Sequence, residues 1–291
     1  MTQTLTPPGR SALERARRGW RRFSAAPITV ILSAIVLLVL VIAACWPTIL
    51  APASPLAADA LNSLRPPSFD HPFGTDENGR DVLTRIVHGA TPSLLTGLGA
   101  SALALIAGTL LGVIAAQGGR WVDSIVMRFV DILLAIPGLL LVFVVIAVLG
   151  KGTGNVIIGI ALFSIPGYAR LVRSEILVIR RSGYVDAAVS LGIPRWQIVL
   201  QHVIPNAVRP VLILATIGVG SAIGAGASLS FLGLGPQPPA PEWGAMLAAS
   251  QSYFSVAWWA ALFPGLAITA AVLSITVLGQ HLQRTLDGRT S

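Results

Sequence analysis

Residues 28–46 read Ile28-Thr29-Val30-Ile31-Leu32-Ser33-Ala34-Ile35-Val36-Leu37-Leu38-Val39-Leu40-Val41-Ile42-Ala43-Ala44-Cys45-Trp46, with no charged side chain in the run. At about 1.5 Å of rise per helical residue, such a run covers most of the ~30 Å hydrocarbon core of a bilayer. Five further stretches share its character: Leu94–Ala116, Phe129–Leu149, Val156–Ala169, Pro210–Gly233 and Ala257–Gln280. The shortest continues its apolar pattern through Leu171, Val172, Ile176, Leu177 and Ile179, so it forms one tilted helix whose Arg170, Arg173 and Glu175 reach an interface. Asp131 is the only charge in the other five stretches. Runs rich in Leu, Ala and Gly also lack the period-two alternation of a membrane barrel. The sequence therefore predicts an all-α membrane protein with six transmembrane helices.

Composition points the same way. Of 291 residues, 54% are hydrophobic and 11% charged, where a soluble domain carries about 25% charged residues. Mean hydropathy is +0.77. The single Cys45 excludes an intrachain disulfide and an all-cysteine metal cage, and four scattered histidines (His71, His88, His202, His281) offer little for a metal centre.

A net charge of +8 would suggest nucleic acid in a soluble domain, but here its position along the chain matters. With the N-terminus inside, Arg10, Arg15, Arg17, Arg18, Arg21, Arg22, Arg120, Arg128, Arg170, Arg173, Arg180, Arg181, Arg195, Arg209, Arg284 and Arg289 all fall on the cytoplasmic side. Only Arg65, Arg80, Arg85 and Lys151 are then outside, four of the 20 basic residues. Cytoplasmic loops carry the arginine and lysine excess, so both termini are predicted to be cytoplasmic.

The resulting plan is an Arg-rich cytoplasmic tail (1–27), a first helix (28–46), an outer loop (47–92), a five-helix core (93–280) containing a cytoplasmic loop at 182–205, and a cytoplasmic tail (281–291). Six prolines between Pro47 and Pro72 predict an extended outer loop with short helical pieces. Loop 234–256 has no Lys or Arg. In and beyond it, Phe254, Trp258 and Trp259 suit an interfacial belt, and Glu242 and Trp243 a docking surface.

Several motifs fail on inspection. Ile42-Ala43-Ala44-Cys45 has the form of a lipoprotein cleavage box, yet a long tail precedes the apolar run and five spans follow, so an uncleaved helix is expected. Gly150-Lys151-Gly152-Thr153 resembles part of a phosphate loop. However, position 145 is valine where the first glycine belongs, and Gly152 stands where Ser or Thr should follow the lysine. Gly218-Val219-Gly220 lies in an apolar span with no strand before it. Any ATP that drives this chain is expected on another subunit. No metalloprotease helix, nucleophile elbow or paired intramembrane aspartates appear, so an intramembrane enzyme has no support. Asp131 is expected to form an ordinary helical ion pair with Arg128, three residues earlier.

Pro137-Gly138, Pro166-Gly167 and Pro264-Gly265 interrupt spans, and each predicts a kink or break. Gly220, Gly224 and Ser228 recur every four residues and predict close approach of another helix.

The segment between the fourth and fifth spans is the informative one. It runs Ser182-Gly183-Tyr184-Val185-Asp186-Ala187-Ala188-Val189-Ser190-Leu191-Gly192-Ile193-Pro194-Arg195-Trp196-Gln197. Ser182 is placed to cap a short helix, with Asp186 in its first turn, where negative charge is favoured. Gly192 is placed to end that helix in a left-handed conformation and Pro194 to start the next. Trp196, Leu200 and Val203 share one face of the second helix, which Pro205 limits. Two short helices at a fixed elbow make a compact docking knob.

Here the chain resembles a known group. Tyr184-Val185-Asp186-Ala187-Ala188 followed by Gly192 is similar to the "EAA" loop of permease subunits of ABC importers, with Asp186 in place of the usual glutamate. His202-Val203-Ile204-Pro205-Asn206 resembles the end of that motif. Phe73-Gly74-Thr75-Asp76-Glu77-Asn78-Gly79-Arg80-Asp81-Val82-Leu83-Thr84-Arg85 resembles the signature before the second span in the peptide/nickel group. Ser230-Phe231-Leu232-Gly233-Leu234-Gly235 with Pro241-Glu242-Trp243-Gly244 resembles that group's outer loop. The resemblance runs from Ile28 to the C-terminus and is strongest to the C-type permease of oligopeptide and dipeptide importers.

It implies a type I ABC importer in the bacterial inner membrane. This chain would pair with a homologous permease, two ATPases carrying ATP and Mg would dock on the EAA loop, and an extracytoplasmic substrate-binding protein would deliver peptide. The coupling residues would be Tyr184, Asp186, Ala187, Ala188, Gly192 and Pro194. The signature residues would be Gly74, Thr75, Asp76, Gly79, Arg80 and Asp81, and the outer docking residues Glu242, Trp243 and Gly244. The chain itself would hold no cofactor, bind no nucleic acid and act as pathway rather than enzyme. Nickel or another small solute is the near alternative substrate. A stand-alone secondary carrier is the alternative of another class, but it should show buried coupling charges or an inverted repeat, and neither is evident.

Overall fold

The computed structural model describes residues 27–287. The Arg-rich tail and residues 288–291 lie outside it, together with the arginines counted there. The helices are α1 (Ile28–Cys45), α2 (Val82–Gln117), α3 (Gly119–Ala135), α4 (Gly138–Leu149), α5 (Thr153–Ile179), α6 (Gly183–Ser190), α7 (Arg195–Phe231), α8 (Trp243–Ser250) and α9 (Trp259–Asp287). Among the described residues there is no strand, only an isolated bridge between Thr75 and Asp81.

Helices α1, α2, α5, α7 and α9 are each long and apolar enough to cross a bilayer. The expected third span is different. Helices α3 and α4 are bent by 93° at Ile136-Pro137. Proline forces its predecessor out of the helical region, and Ile136 is extended at φ −85°, ψ 126°. Residues 129–149 are therefore two helices rather than one straight span. Pro166 and Pro264, by contrast, remain inside the unbroken α5 and α9.

The second span also starts early. The apolar run begins at Leu94, but α2 begins at Val82 because Asp81 caps it, its Oδ2 accepting from the Thr84 amide at 2.7 Å. The loop after α1, expected to run to residue 92, therefore ends at Asp81, and Pro92 is inside the helix. Its helical pieces are the short turns Pro47–Leu50 and Ala60–Asn62.

Helix α2 is the central post, packing most extensively on α5 and also on α7 and α1. Its close approach to α5 is made at Gly108 and Gly112. A methyl group at Gly108 would stand 2.6 Å from Tyr168 Cβ, and one at Gly112 would stand 2.7 Å from the Ala169 carbonyl oxygen. Small residues four apart let the α2 and α5 backbones nearly touch. The predicted stripe on α7 is used only in part: Gly220 closes on Thr276 and Val272 of α9, while Gly224 faces open space.

Helix α7 runs 37 residues without a stop. Pro205 was expected to limit its first part, but a π-helical turn at Val199–Val203 joins that part to Ile204–Phe231. The wider turn absorbs the register change, and Pro205 enters at the first turn of the α-helix that follows, where a missing amide donor costs least.

Candidate functional site

At one end of the bundle, α6 and the start of α7 form the expected knob. Ser182 holds the N-cap position of α6, but its hydroxyl donates back to the Ile179 carbonyl at 2.5 Å and caps nothing in α6. Asp186 stands exposed in the first turn. The helix ends in a Schellman arrangement: the Ile193 amide donates to Ala188 O at 3.2 Å and the Gly192 amide to Val189 O at 3.0 Å. Gly192 has φ +74°, a conformation that only a residue without a Cβ adopts freely. Pro194 then holds the N-cap position of α7.

The knob is fastened from beneath. Val185, Ala188, Ile198 and Val203 are buried in one cluster with Val172, Ile176 and Ala207 of the spans. Arg180 Nη1 donates to Ala116 O at 2.8 Å, satisfying a carbonyl at the open end of α2. Trp196, Leu200 and Val203 do not share a fate, because the extra residue of the π-turn rotates Val203 inward. Val203 is 1% exposed, while Trp196 and Leu200 are 66% and 57% exposed. With Tyr184, Val189 and Leu191 they leave an apolar surface around the elbow, flanked by exposed Asp186 and Ala187. Isolated exposed apolar side chains are ordinary, but a cluster of five around one elbow is not.

At the opposite end, the signature residues form an internal knot. Thr75 is fully buried, its hydroxyl donating to Asn62 O at 2.5 Å and accepting from the Arg65 amide at 2.8 Å. Asp76 Oδ1 accepts from the Asn78 and Arg80 amides, at 2.8 and 2.9 Å, and its Oδ2 stands 3.4 Å from Arg85 Nε. Arg85 also reaches Pro55 O at 3.1 Å and Pro239 O at 3.4 Å. Asp81 caps α2 and meets His71 Nδ1 at 3.0 Å. Gly74 and Gly79 both have φ +73°. Asp76 and Asp81 thus organise backbone and helix start, as short polar groups do in turns.

Two expectations are corrected here. Glu242, Trp243 and Gly244 are not a docking face, because all three are buried. Glu242 Oε1 and Oε2 accept from the Gly244 and Ala245 amides at 3.1 and 2.8 Å, and Ser93 donates to Oε1 at 3.3 Å. A carboxylate is tolerable inside only with such partners. Trp243 Nε1 donates to Ile86 O at 2.9 Å, and a Cβ on Gly244 would strike the Ala227 backbone. Trp259 is likewise no belt residue: it is buried, and its Nε1 donates to Thr75 O at 3.1 Å. Phe254 and Trp258 are exposed.

Sequence reading missed the charge pairs between helices. Asp123 on α3 holds Arg173 on α5 with two bonds, of 2.5 and 2.6 Å. Asp131 pairs with Arg170 of α5 at 2.6 Å, not with its neighbour Arg128. The acidic residues at 123 and 131 and the arginines at 170 and 173 were visible, but their pairing needs the bent α3 laid beside α5.

The fold and its two ends define a multi-spanning helical membrane protein with an exposed apolar knob at one end. Within that class the chain belongs to the family described as binding-protein-dependent transport system inner membrane component, matched over residues 108–291. It is similar to the dipeptide transport system permease protein DppC of Alkalihalophilus pseudofirmus, 44% identical over 226 residues, covering 78% of this chain and 74% of the relative. It is also similar to the glutathione transport system permease protein GsiD of Pectobacterium atrosepticum, 40% identical over 274 residues, covering 93% and 90%. Its fold matches a chain of the inward-facing MetNI methionine ABC transporter with TM-score 0.55, at 20% identity, covering 69% of this chain and 95% of that one. The chain is a multi-pass inner-membrane transport component.

Proposed function

We propose that this chain is one of two homologous permease subunits forming the membrane pathway of an ATP-driven peptide importer. The observation that carries the reading is the knob: an apolar contact surface around Gly192, rigidly seated on the ends of α2, α5 and α7. A partner that presses on it moves the spans rather than a loose loop. The partners proposed for it are two ATPases, which would bind the ATP and Mg. A substrate-binding protein would deliver peptide at the knotted end. The names of the dipeptide and glutathione relatives support peptide as cargo.

The test is reconstitution of the two permeases with both ATPases in vesicles, with binding protein and labelled peptide outside. Uptake should require ATP, binding protein and all subunits, and the isolated chain should bind no nucleotide. Peptide uptake by the permeases alone would point instead to a secondary carrier.

A further inference from the structure

A groove at the knob end of the bundle is walled almost entirely by charge. It encloses about 590 Å³ between α3 and α5, lined by Arg120, Asp123, Arg128, Asp131, Arg170 and Arg173 among others. Both carboxylates are already engaged, Asp123 by Arg173 and Asp131 by Arg170. Among the described residues, Arg120 and Arg128 have no carboxylate within ion-pair distance. Two exposed cations are therefore left over, about 12 Å apart along one helix.

Arginine excess at a cytoplasmic end accounts for their sign but not for their place. Arg120 stands in the first turn of α3, where the helix dipole disfavours a cation and no acidic residue compensates. The same helix exposes Trp121 and Ile125, at 84% and 68%. An aromatic and an aliphatic side chain beside arginines are the anchors of a helix at a membrane–water boundary. The depth agrees, since Arg170 and Arg173 lie within the last ten residues of α5 (Thr153–Ile179), which leads straight into the knob. Arg170 spends only Nη2 on Asp131, so its fork keeps donors for another acceptor.

We propose that this groove binds the phosphate head group of an anionic phospholipid, with Arg120 and Arg128 supplying the unpaired charge and Arg170 further donors. Guanidinium forks match phosphate oxygens, and basic pockets between transmembrane helices hold anionic head groups. The two Asp–Arg pairs set the shape of the groove by holding α3 against α5. The acyl chains would run along the apolar flank at Trp121 and Ile125.

The test uses the transporter complex purified through this chain, with wild type, R120Q/R128Q and R120K/R128K compared. Native mass spectrometry should find phosphatidylglycerol retained by wild type and bound roughly thirtyfold more weakly by R120Q/R128Q. Thermal unfolding should shift upward in phosphatidylcholine vesicles when phosphatidylglycerol is added, for wild type and for R120K/R128K but not for R120Q/R128Q. Equal retention by all three proteins would overturn the site. So would loss of the partner permease from R120Q/R128Q with lipid retention unchanged, since the arginines would then serve a protein contact. An equal upward shift in detergent with inorganic phosphate alone would overturn the lipid assignment in favour of a free anion.

Discussion

Two glycines with nearly the same backbone angle fail for different reasons when replaced. Gly192 has φ +74°, and a Cβ there meets nothing within 4 Å. Its replacement costs only left-handed strain, about 1–2 kcal/mol for an ordinary residue and less for asparagine. Gly192→Val should therefore leave the subunit inserted and complexed but lower peptide uptake and binding-protein-stimulated ATP hydrolysis severalfold. Gly192→Asn should keep both near normal. Equal activity of the two variants at equal subunit content would mean that the elbow does not transmit force. Gly79 has φ +73°, but its Cβ would collide with the Asp59 backbone carbonyl. Gly79→Ala should cost more than strain alone, at least about 2 kcal/mol, and should loosen the outer knot. Faster protease cleavage between residues 55 and 75, with α5 and α7 still protected, is the expected readout.

Helices were legible in the sequence wherever membrane solvation alone decides them, as in α1, α9 and the second half of α7. They were misread where protein replaces lipid. The first three turns of α2 contain buried Thr84 and Arg85, so no apolar run announces them. Trp243 and Trp259 had the composition of a belt or docking surface, yet their indole donors are used on backbone carbonyls inside. The knob was readable because Asp186, Gly192 and Pro194 act locally, whereas the α3–α5 pairing was not because it joins residues 50 apart in sequence. That pairing gives a prediction for the two elements. Asp123→Arg or Arg173→Asp alone should detach this part of α3 from α5, seen as a longer and broader distance between spin labels at Ile125 and Val178. The double swap should restore the wild-type distance. A half-buried, doubly bonded pair of this kind should show a coupling free energy of roughly 1 kcal/mol in a double-mutant cycle on thermal stability. Failure of the swap to restore the distance would show that the charges do not hold the helices together.

For the whole molecule, the orientation in the membrane rests on charge. The knob end carries Arg120, Arg128, Arg170, Arg173, Arg180, Arg181, Arg195 and Arg209, while the knotted end carries Arg65, Arg80, Arg85 and Lys151. Burial sharpens that contrast. Arg85 is buried against Asp76, so it adds little free charge to its side. Arginine excess predicts the cytoplasmic face; with that orientation the proposed function would have the knob beside the ATP supply and the knot where a binding protein would arrive. Two exposed positions report on this directly: Phe69 in the outer loop and Leu191 at the knob elbow, 105% and 79% exposed. Cys45 is also exposed, so Cys45→Ser comes first to give a silent background. In right-side-out vesicles, a membrane-impermeant thiol reagent should label Phe69→Cys and spare Leu191→Cys until the vesicles are opened. The reverse pattern would invert the protein, moving the knob away from any cytoplasmic ATPase and removing the physical basis for ATP-driven coupling through α6.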